Sequence, residues 1–155
     1  MIDSLTAQIS SWNNARGITL KFVSELSDKD LDKKFPRKNL NTIRLQVEEM
    51  AWVQKNFIDA LNTKVMEFIE IPLEDTSKHG IVKRLTELDT ELVKTLENFD
   101  GTETIDFYGE PGNVHEHISS MIAHENMHIG QIVAFCYATG IDIPADIVES
   151  MALDG

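Results

Sequence analysis

Apolar residues recur at helical spacing in four stretches of this chain, and this pattern restricts the fold more than any other feature. The stretches cover about residues 4–26, 41–62, 77–98 and 113–140. Apolar side chains spaced three and four residues apart form one face of an amphipathic helix, which must be buried against other helices. The sequence therefore predicts an all-α fold, a four-helix bundle, with residues 1–155 forming a single domain.

The sequence marks the end of some predicted helices more clearly than others. Asn113 with Glu116 three residues later resembles a capping box, and Gly140 stands where a left-handed C-terminal glycine belongs. Asn41 is the expected N-cap of the second helix. Gly17 lies inside the first helix, which it weakens by about 1 kcal/mol relative to alanine without having to break it.

Two connections are longer than an up-down bundle of four helices requires. They comprise residues 63–76 and 99–112. Because connections in helical bundles are usually short, loops of this length are expected to cross the bundle or to cover a site. We therefore expect long crossover loops, with a short extended piece over residues 66–71 and one helical turn within residues 27–39.

The chain is strongly acidic, with a formal net charge of -12. Phosphate binding requires clustered Lys and Arg, so this charge argues against nucleic-acid partners, and it also repels anionic membranes. The N-terminal residues do not resemble a signal peptide, and no run approaches the roughly 18 apolar residues of a membrane span. The single Cys136 is compatible with a reducing compartment. We expect a cytoplasmic protein with neither a nucleic-acid nor a membrane partner.

His124 and His128 are the sharpest chemical feature of the sequence. Residues four apart lie on one helical face with Cβ atoms roughly 5–6 Å apart, which allows two imidazoles to bind one metal ion. The same face carries the mostly apolar set His117, Met121, Ile132 and Phe135. The pair therefore points into the bundle and predicts a metal site there. The alternative is a pair of histidines that cap or pack without a metal.

The other histidines are weaker candidates. His117 lies seven residues before His124 and is an alternative ligand. His115 is interpreted as an ordinary helix residue or one at the rim of the site. His79 has no partner at a useful spacing, and we expect it to be exposed.

Glu49 is the best candidate for a third ligand. Its neighbours on the second helix are apolar, so the carboxylate interrupts an apolar stripe that includes Leu45, Trp52 and Val53. Burying an unpaired carboxylate is costly, and coordination of a metal offsets that cost. The alternative is a partner cation, which Arg16 on the first helix could provide.

Residues 123–132 and 140–144 resemble the H-x-x-x-H-x-G-Q and G-x-x-x-P motifs of the DinB-like, or YfiT/DinB, family of metalloenzymes. The resemblance covers essentially the whole chain. It implies a four-helix bundle with long crossovers and a metal held by one histidine of the second helix and two of the fourth. His124 and His128 match the latter two, and the position of the first falls on Glu49. The resemblance thus implies a divalent metal, Zn or Ni and less favourably Fe, held by two histidines and one carboxylate.

Relatives of this family include thiol-dependent S-transferases and isomerases that use low-molecular-weight thiols such as bacillithiol or mycothiol, and hydrolases. The resemblance therefore implies a metal-dependent transferase or hydrolase acting on a small molecule. A Lewis-acid metal lowers the pKa of a bound water or thiol. Glu125 or, as the alternative, His117 is the candidate general base or supporting partner of the ligands, and we also expect a homodimer.

Two other functions are compatible with the sequence. The segment from His124 to His128 reads literally as HExxH, the zinc motif of metalloproteases, with Glu125 activating water and Glu149 as the third ligand. That class places the helix beside a sheet, which this chain is not expected to have. The other alternative is a non-catalytic or stress-related bundle protein whose metal is structural or absent.

Overall fold

Four long helices carry the fold in the computed structural model, which describes residues 3–153. These helices are α1 (Asp3–Glu25), α3 (Ile43–Thr63), α4 (Lys78–Leu96) and α5 (Val114–Thr139). The shorter elements are α2 (Asp28–Leu31), β1 (Thr104–Phe107), β2 (Glu110–Asn113) and α6 (Ala145–Met151). The predicted all-α bundle is confirmed, including the single helical turn after the first helix, which is α2.

Helices α1 and α5 run in the same direction. Gln8, near the start of α1, contacts His115 at the start of α5, with 2.8 Å between Oε1 and Nδ1. Thr19, further along α1, donates a hydrogen bond of 2.6 Å to Glu125 in the middle of α5. The two long helices at the ends of the chain therefore lie parallel and in register.

Helices α3 and α4 are also parallel to each other. Arg44 at the start of α3 donates to the carbonyl of Thr76 just before α4, and Lys55 pairs with Glu91 further along both helices. The connection between them must therefore run back along the bundle. This return confirms the crossover predicted for residues 63–76, which the structure places at residues 64–77.

The crossover is held to α3 by side-chain amide contacts. Asn56 donates from Nδ2 to the carbonyl of Ile69 at 2.9 Å and accepts the Ile69 N–H at 3.2 Å. At its far end, Asp75 packs directly on Gly80 in the first turn of α4, where a Cβ atom would overlap the Asp75 side chain and carbonyl oxygen. Residues 66–71, predicted to be extended, form no strand, and the strand-like pairing beside them is the bridge between Val65 and Asp106, where the N–H of Met66 donates to the carbonyl of Asp106.

The connection between α4 and α5 does not cross the bundle, contrary to expectation. It folds into an antiparallel hairpin in which Thr104 pairs with Asn113 and Phe107 with Glu110. The turn consists of Tyr108 and Gly109, both with positive φ of 56° and 88°. Such a turn matches the twist of the two strands and allows a tight hairpin. The second strand of the hairpin thus leads directly into α5.

The helix ends are capped largely as the sequence predicts. Asn113 and Glu116 form the capping box of α5, and Gly140 adopts φ 65° at its C-terminus. The N-cap of α3 is Thr42 and not Asn41, because the Thr42 hydroxyl accepts the N–H of Leu45. No helix within residues 3–153 is both long and apolar enough to cross a membrane.

Candidate metal centre

The three predicted ligands lie together between α3 and α5. Oε2 of Glu49 is 2.9 Å from Nε2 of His128 and 3.5 Å from Nε2 of His124. One donor atom from each of the three residues lies within 4.8 Å of the other two. The imidazole centroids of the two histidines are 4.7 Å apart. This is the only group of at least three His, Cys, Asp or Glu side chains with such spacing among the described residues.

Helix geometry explains why these side chains meet. His124 and His128 project from one face of α5, one turn apart, as residues four positions apart must. Helix α3 packs antiparallel against α5, since Phe57 near the end of α3 contacts His117 near the start of α5. The packing brings Glu49, in the middle of α3, opposite the histidine pair.

The site lies at the edge of the core and opens on one side. The side chain of His128 is 2% exposed, whereas those of Glu49 and His124 are 16% and 22% exposed. His128 is therefore the inner donor, and solvent or a ligand reaches the site past His124 and Glu49.

Two atoms at the centre of this group are buried without a hydrogen-bond partner among the described residues. They are Nε2 of His128 and Oε2 of Glu49. They approach to 2.9 Å, but they do not have the geometry of a hydrogen bond. Unpartnered buried polar atoms are costly and rare. Two neutral imidazoles and one carboxylate form a donor set that suits a divalent ion, so the residues present fit a metal.

The carboxylate is held in the anionic form that a cation requires. Burial alone raises the pKa of Glu49, but the interaction with the nearby imidazoles of His124 and His128 outweighs it and lowers that pKa to about 2. Glu49 is therefore ionised throughout the neutral range.

Gln46 belongs to the site, although the sequence reasoning missed it. It lies one turn before Glu49 on α3 and is fully buried, with Oε1 3.2 Å from Nδ1 of His128. A contact of this kind, made to the ring nitrogen that does not face the metal site, orients a metal-binding histidine. The available signal was its position three residues before Glu49, on the same helical face as the proposed ligand.

Comparison with known proteins bears on the family and the fold of this chain. The profile of the DinB family matches residues 1–147. The chain belongs to the DinB family. It is also similar to the crystal structure of a DinB-like protein from Bacillus cereus ATCC 10987, with 22% sequence identity, a TM-score of 0.67, and coverage of 89% of this chain and 94% of that one. The similarity to that structure supports the fold. None of the curated proteins matches the chain.

Glu125 does not face the ligand group of this DinB-family chain. Its carboxylate accepts a hydrogen bond from Thr19 at 2.6 Å and lies 3.4 Å from Nη2 of Arg16. Both Glu125 and Arg16 are 2% exposed. The catalytic role of Glu125 stays a prediction, and these contacts favour a role in positioning α5 instead.

Arg16 contacts polar side chains on the other three long helices. It donates from Nη2 to Oε1 of Gln54 at 2.8 Å, lies 3.5 Å from Asp89, and stacks over Trp12 with 4.7 Å to the ring centroid. Arg16 is therefore not the cation of Glu49, and the alternative explanation of a buried Arg16–Glu49 pair does not apply. The sequence offered no local signal that Glu125 would be its partner.

The remaining histidines have other partners or positions. His117 is buried and donates from Nε2 to the carbonyl of Phe57 at 2.8 Å, so the atom that would bind a metal is already used. His115 contacts Gln8 at the start of α1. His79 is exposed, as predicted.

The placement of Glu149 and Glu125 does not favour the protease alternative. Glu149 is exposed on α6 and is not part of the ligand group, and Glu125 contacts Arg16. Cys136 is fully buried, and burial raises the pKa of its thiol to about 11. Such a thiol is a core side chain and a poor nucleophile at neutral pH.

Proposed function

We propose that this DinB-family chain is a metal-dependent enzyme in which Glu49, His124 and His128 hold one divalent ion. The observation that carries the proposal is the convergence of these three donors, with two buried atoms that have no hydrogen-bond partner among the described residues. Both helices that supply them are packed into the bundle, so the donors are held in place before an ion arrives. We propose Zn²⁺ or Ni²⁺ as the ion, with Fe²⁺ as the other ion that accepts this donor set.

Three protein ligands are typical of a catalytic site rather than a structural one. A structural zinc site is usually closed by four protein ligands, whereas a catalytic site keeps a position for water or substrate. The partial exposure of His124 and Glu49 leaves that position on the open side of the group. This arrangement supports an enzyme over a non-catalytic bundle protein.

We propose a thiol-dependent S-transferase, with a hydrolase as the related alternative. When bound, the metal lowers the pKa of a thiol or water that reaches its open position. The thiol sulfur then bonds to an electrophilic carbon of a second small molecule, whose leaving group departs with the bonding electrons, while the thiol proton passes to solvent. In a hydrolase, water takes the place of the thiol.

The rim of the site suits a small molecule with an apolar part. Leu45, one turn before Glu49 and so on the same side of α3, is 41% exposed. A large apolar side chain that remains exposed beside a polar site commonly contacts a ligand. We therefore expect Leu45 to contact the carbon skeleton of the substrate.

Metal analysis of the purified protein tests the ligand set. We expect about one equivalent of metal in the wild-type protein and a loss of at least tenfold in affinity in Glu49→Ala and His128→Ala, since each removes one of three ligands. Glu48→Ala and His79→Ala are matched controls, because they remove a neighbouring carboxylate and an exposed histidine. Equal metal content in all these variants would exclude this site.

X-ray absorption at the metal edge tests the reaction class. Addition of a low-molecular-weight thiol to the metal-loaded protein should introduce a sulfur neighbour at about 2.3 Å if the ion is zinc. Consumption of the thiol with an electrophilic chloroarene should then depend on His124 and His128. Binding of metal without either response favours the non-catalytic alternative, and turnover of an ester without sulfur binding favours the hydrolase.

We further propose a cytoplasmic homodimer. Phe68, Phe107 and Tyr108 form an exposed aromatic cluster with ring centroids 5.4–6.1 Å apart, and exposed aromatic groups are typical of protein interfaces. Light scattering should give twice the monomer mass for wild type and the monomer mass for Phe68→Ser with Tyr108→Ser. Tyr137→Ser, at an exposed aromatic outside this cluster, is the control.

A further inference from the structure

We infer that Gln46 is a positioning residue that selects the tautomer of His128 and thereby makes its Nε2 available to a metal. The inference rests on the proposed function, because it concerns how one of the three proposed ligands is prepared. It adds a residue that touches no ion and acts only through His128.

The geometry gives Gln46 access to one nitrogen only. Oε1 of Gln46 lies 3.2 Å from Nδ1 of His128, on the side of the ring opposite Nε2, which faces Glu49 at 2.9 Å. Gln46 and His128 are both buried. Since Gln46 and Glu49 are one turn apart on α3, a single helix provides both the orienting group and the opposing ligand.

A neutral imidazole carries a proton on one nitrogen and a lone pair on the other. With the proton on Nδ1, His128 donates to Oε1 of Gln46, and the Nε2 lone pair is free for a metal. With the proton on Nε2, the N–H faces Glu49 and no lone pair is available there, so the ligand position is closed. The carbonyl of Gln46 stabilises the first state because it accepts a hydrogen bond only from a protonated Nδ1.

Two substitutions separate this role from simple packing. Gln46→Met keeps the length of the side chain and removes its acceptor, so we expect metal affinity to fall by about 10–100-fold. Gln46→Glu keeps an acceptor and removes the donor, so it should retain the open tautomer and an affinity within about threefold of wild type. Gln54→Met is the control for the loss of a buried glutamine on α3, because Gln54 binds Arg16 and Asp89 and not His128.

The decisive measurement is the tautomer itself. Long-range ¹H–¹⁵N NMR of the imidazoles, recorded on metal-free protein at mildly alkaline pH, distinguishes a protonated Nδ1 from a protonated Nε2. We expect protonated Nδ1 at His128 in wild type, Gln46→Glu and Gln54→Met, and mainly protonated Nε2 in Gln46→Met. Competition of Zn²⁺ with a chelating dye measures the affinities on the same samples.

The outcomes distinguish this inference from the proposed function. An unchanged His128 tautomer in a folded Gln46→Met protein, with wild-type zinc affinity, overturns the inference while leaving the metal site intact. If the His128 tautomer shifts in Gln46→Met but the wild-type protein binds no zinc, the result supports the role of Gln46 and overturns the proposed function. If Gln46→Met does not fold, an unchanged tautomer in Gln46→Ser, whose shorter side chain cannot reach Nδ1, overturns the inference in its place.

Discussion

Glu125 directly follows His124 in the chain, yet its carboxylate contacts Arg16, with 3.4 Å between Oε2 and Nη2. Successive residues of an α-helix project about 100° apart, because one turn takes 3.6 residues. Helix α5 therefore carries the two histidines of the proposed metal site on one face and a buried ion pair on the next. The rotation of α5 about its axis is therefore set by two contacts together, that of His128 with Glu49 and that of Glu125 with Arg16.

The Arg16–Glu125 pair leads to a prediction about stability. Glu125→Ala leaves the buried guanidinium without this partner, and breaking a buried ion pair costs about 3–5 kcal/mol. We expect a fall of about 3 kcal/mol in the free energy of unfolding in urea, since Arg16 keeps Asp89 and Gln54. The folded protein should still bind its metal. Full stability combined with lost activity would instead identify Glu125 as the catalytic base.

Two glycines inside helices should respond oppositely to the same substitution. A Cβ at Gly17 of α1 meets no atom within 4 Å, so Gly17→Ala should raise the free energy of unfolding by about 0.5–1 kcal/mol through helix propensity. At Gly80 the added methyl group overlaps Asp75, and we expect a net loss of about 1–3 kcal/mol from overpacking. Thermal and urea unfolding of both variants check the signs, and each is the control for the other.

His117 should make the fold sensitive to mild acid. Burial lowers its pKa, and its hydrogen bond to the carbonyl of Phe57 opposes this only in part. The unfolded chain, with a histidine pKa of about 6.5, thus binds a proton before the folded chain does. The contribution of His117 to the free energy of unfolding should therefore be constant above about pH 6.5. It should fall as the pH drops below about 6.5, because there the unfolded state binds more protons.

The variant His117→Gln tests this account, because it keeps an N–H donor for Phe57 and does not titrate. Its free energy of unfolding should decline less between about pH 6.5 and pH 5 than that of the wild-type protein. The exposed His79→Gln variant should follow the wild-type curve. An identical slope for wild type and His117→Gln would contradict the assignment.

Cys136 should be unreactive in the native protein. Burial raises the pKa of its thiol to about 11, and the thiolate is the reactive form. We expect negligible labelling by an aromatic disulfide reagent at neutral pH and stoichiometric labelling once the protein is unfolded in urea. Rapid labelling of the folded protein would show that the thiol is accessible.

Features set by neighbours in sequence were predictable. The capping box of Asn113 and Glu116 and the left-handed Gly140 depend on residues within one turn, and both are present. The pairing of His124 with His128 follows from their spacing, and the interruption of an apolar stripe pointed to Glu49. The three predicted ligands do come together in space.

Features set by packing between distant segments were not predictable. Two connections of similar length were expected to cross the bundle, but only residues 64–77 do. The other forms a hairpin through Tyr108 and Gly109, a pair that lacks the usual Asn-Gly signature of such turns. Arg16 could have paired with either Glu49 or Glu125, and the choice depends on the rotation of helices that lie far apart in the chain.

Glu49 on α3 lies opposite His124 and His128 on α5, and this arrangement has a consequence for the stability of the fold. An ion bound by all three would act as a cross-link that closes a large loop of chain, containing the crossover, α4 and the hairpin. A cross-link of this kind lowers the conformational entropy of the unfolded chain. In addition, a ligand that binds only the native state stabilises that state by mass action. Metal depletion would then first loosen α5 from α3, so the supply of the ion would control the lifetime of the protein as well as its chemistry.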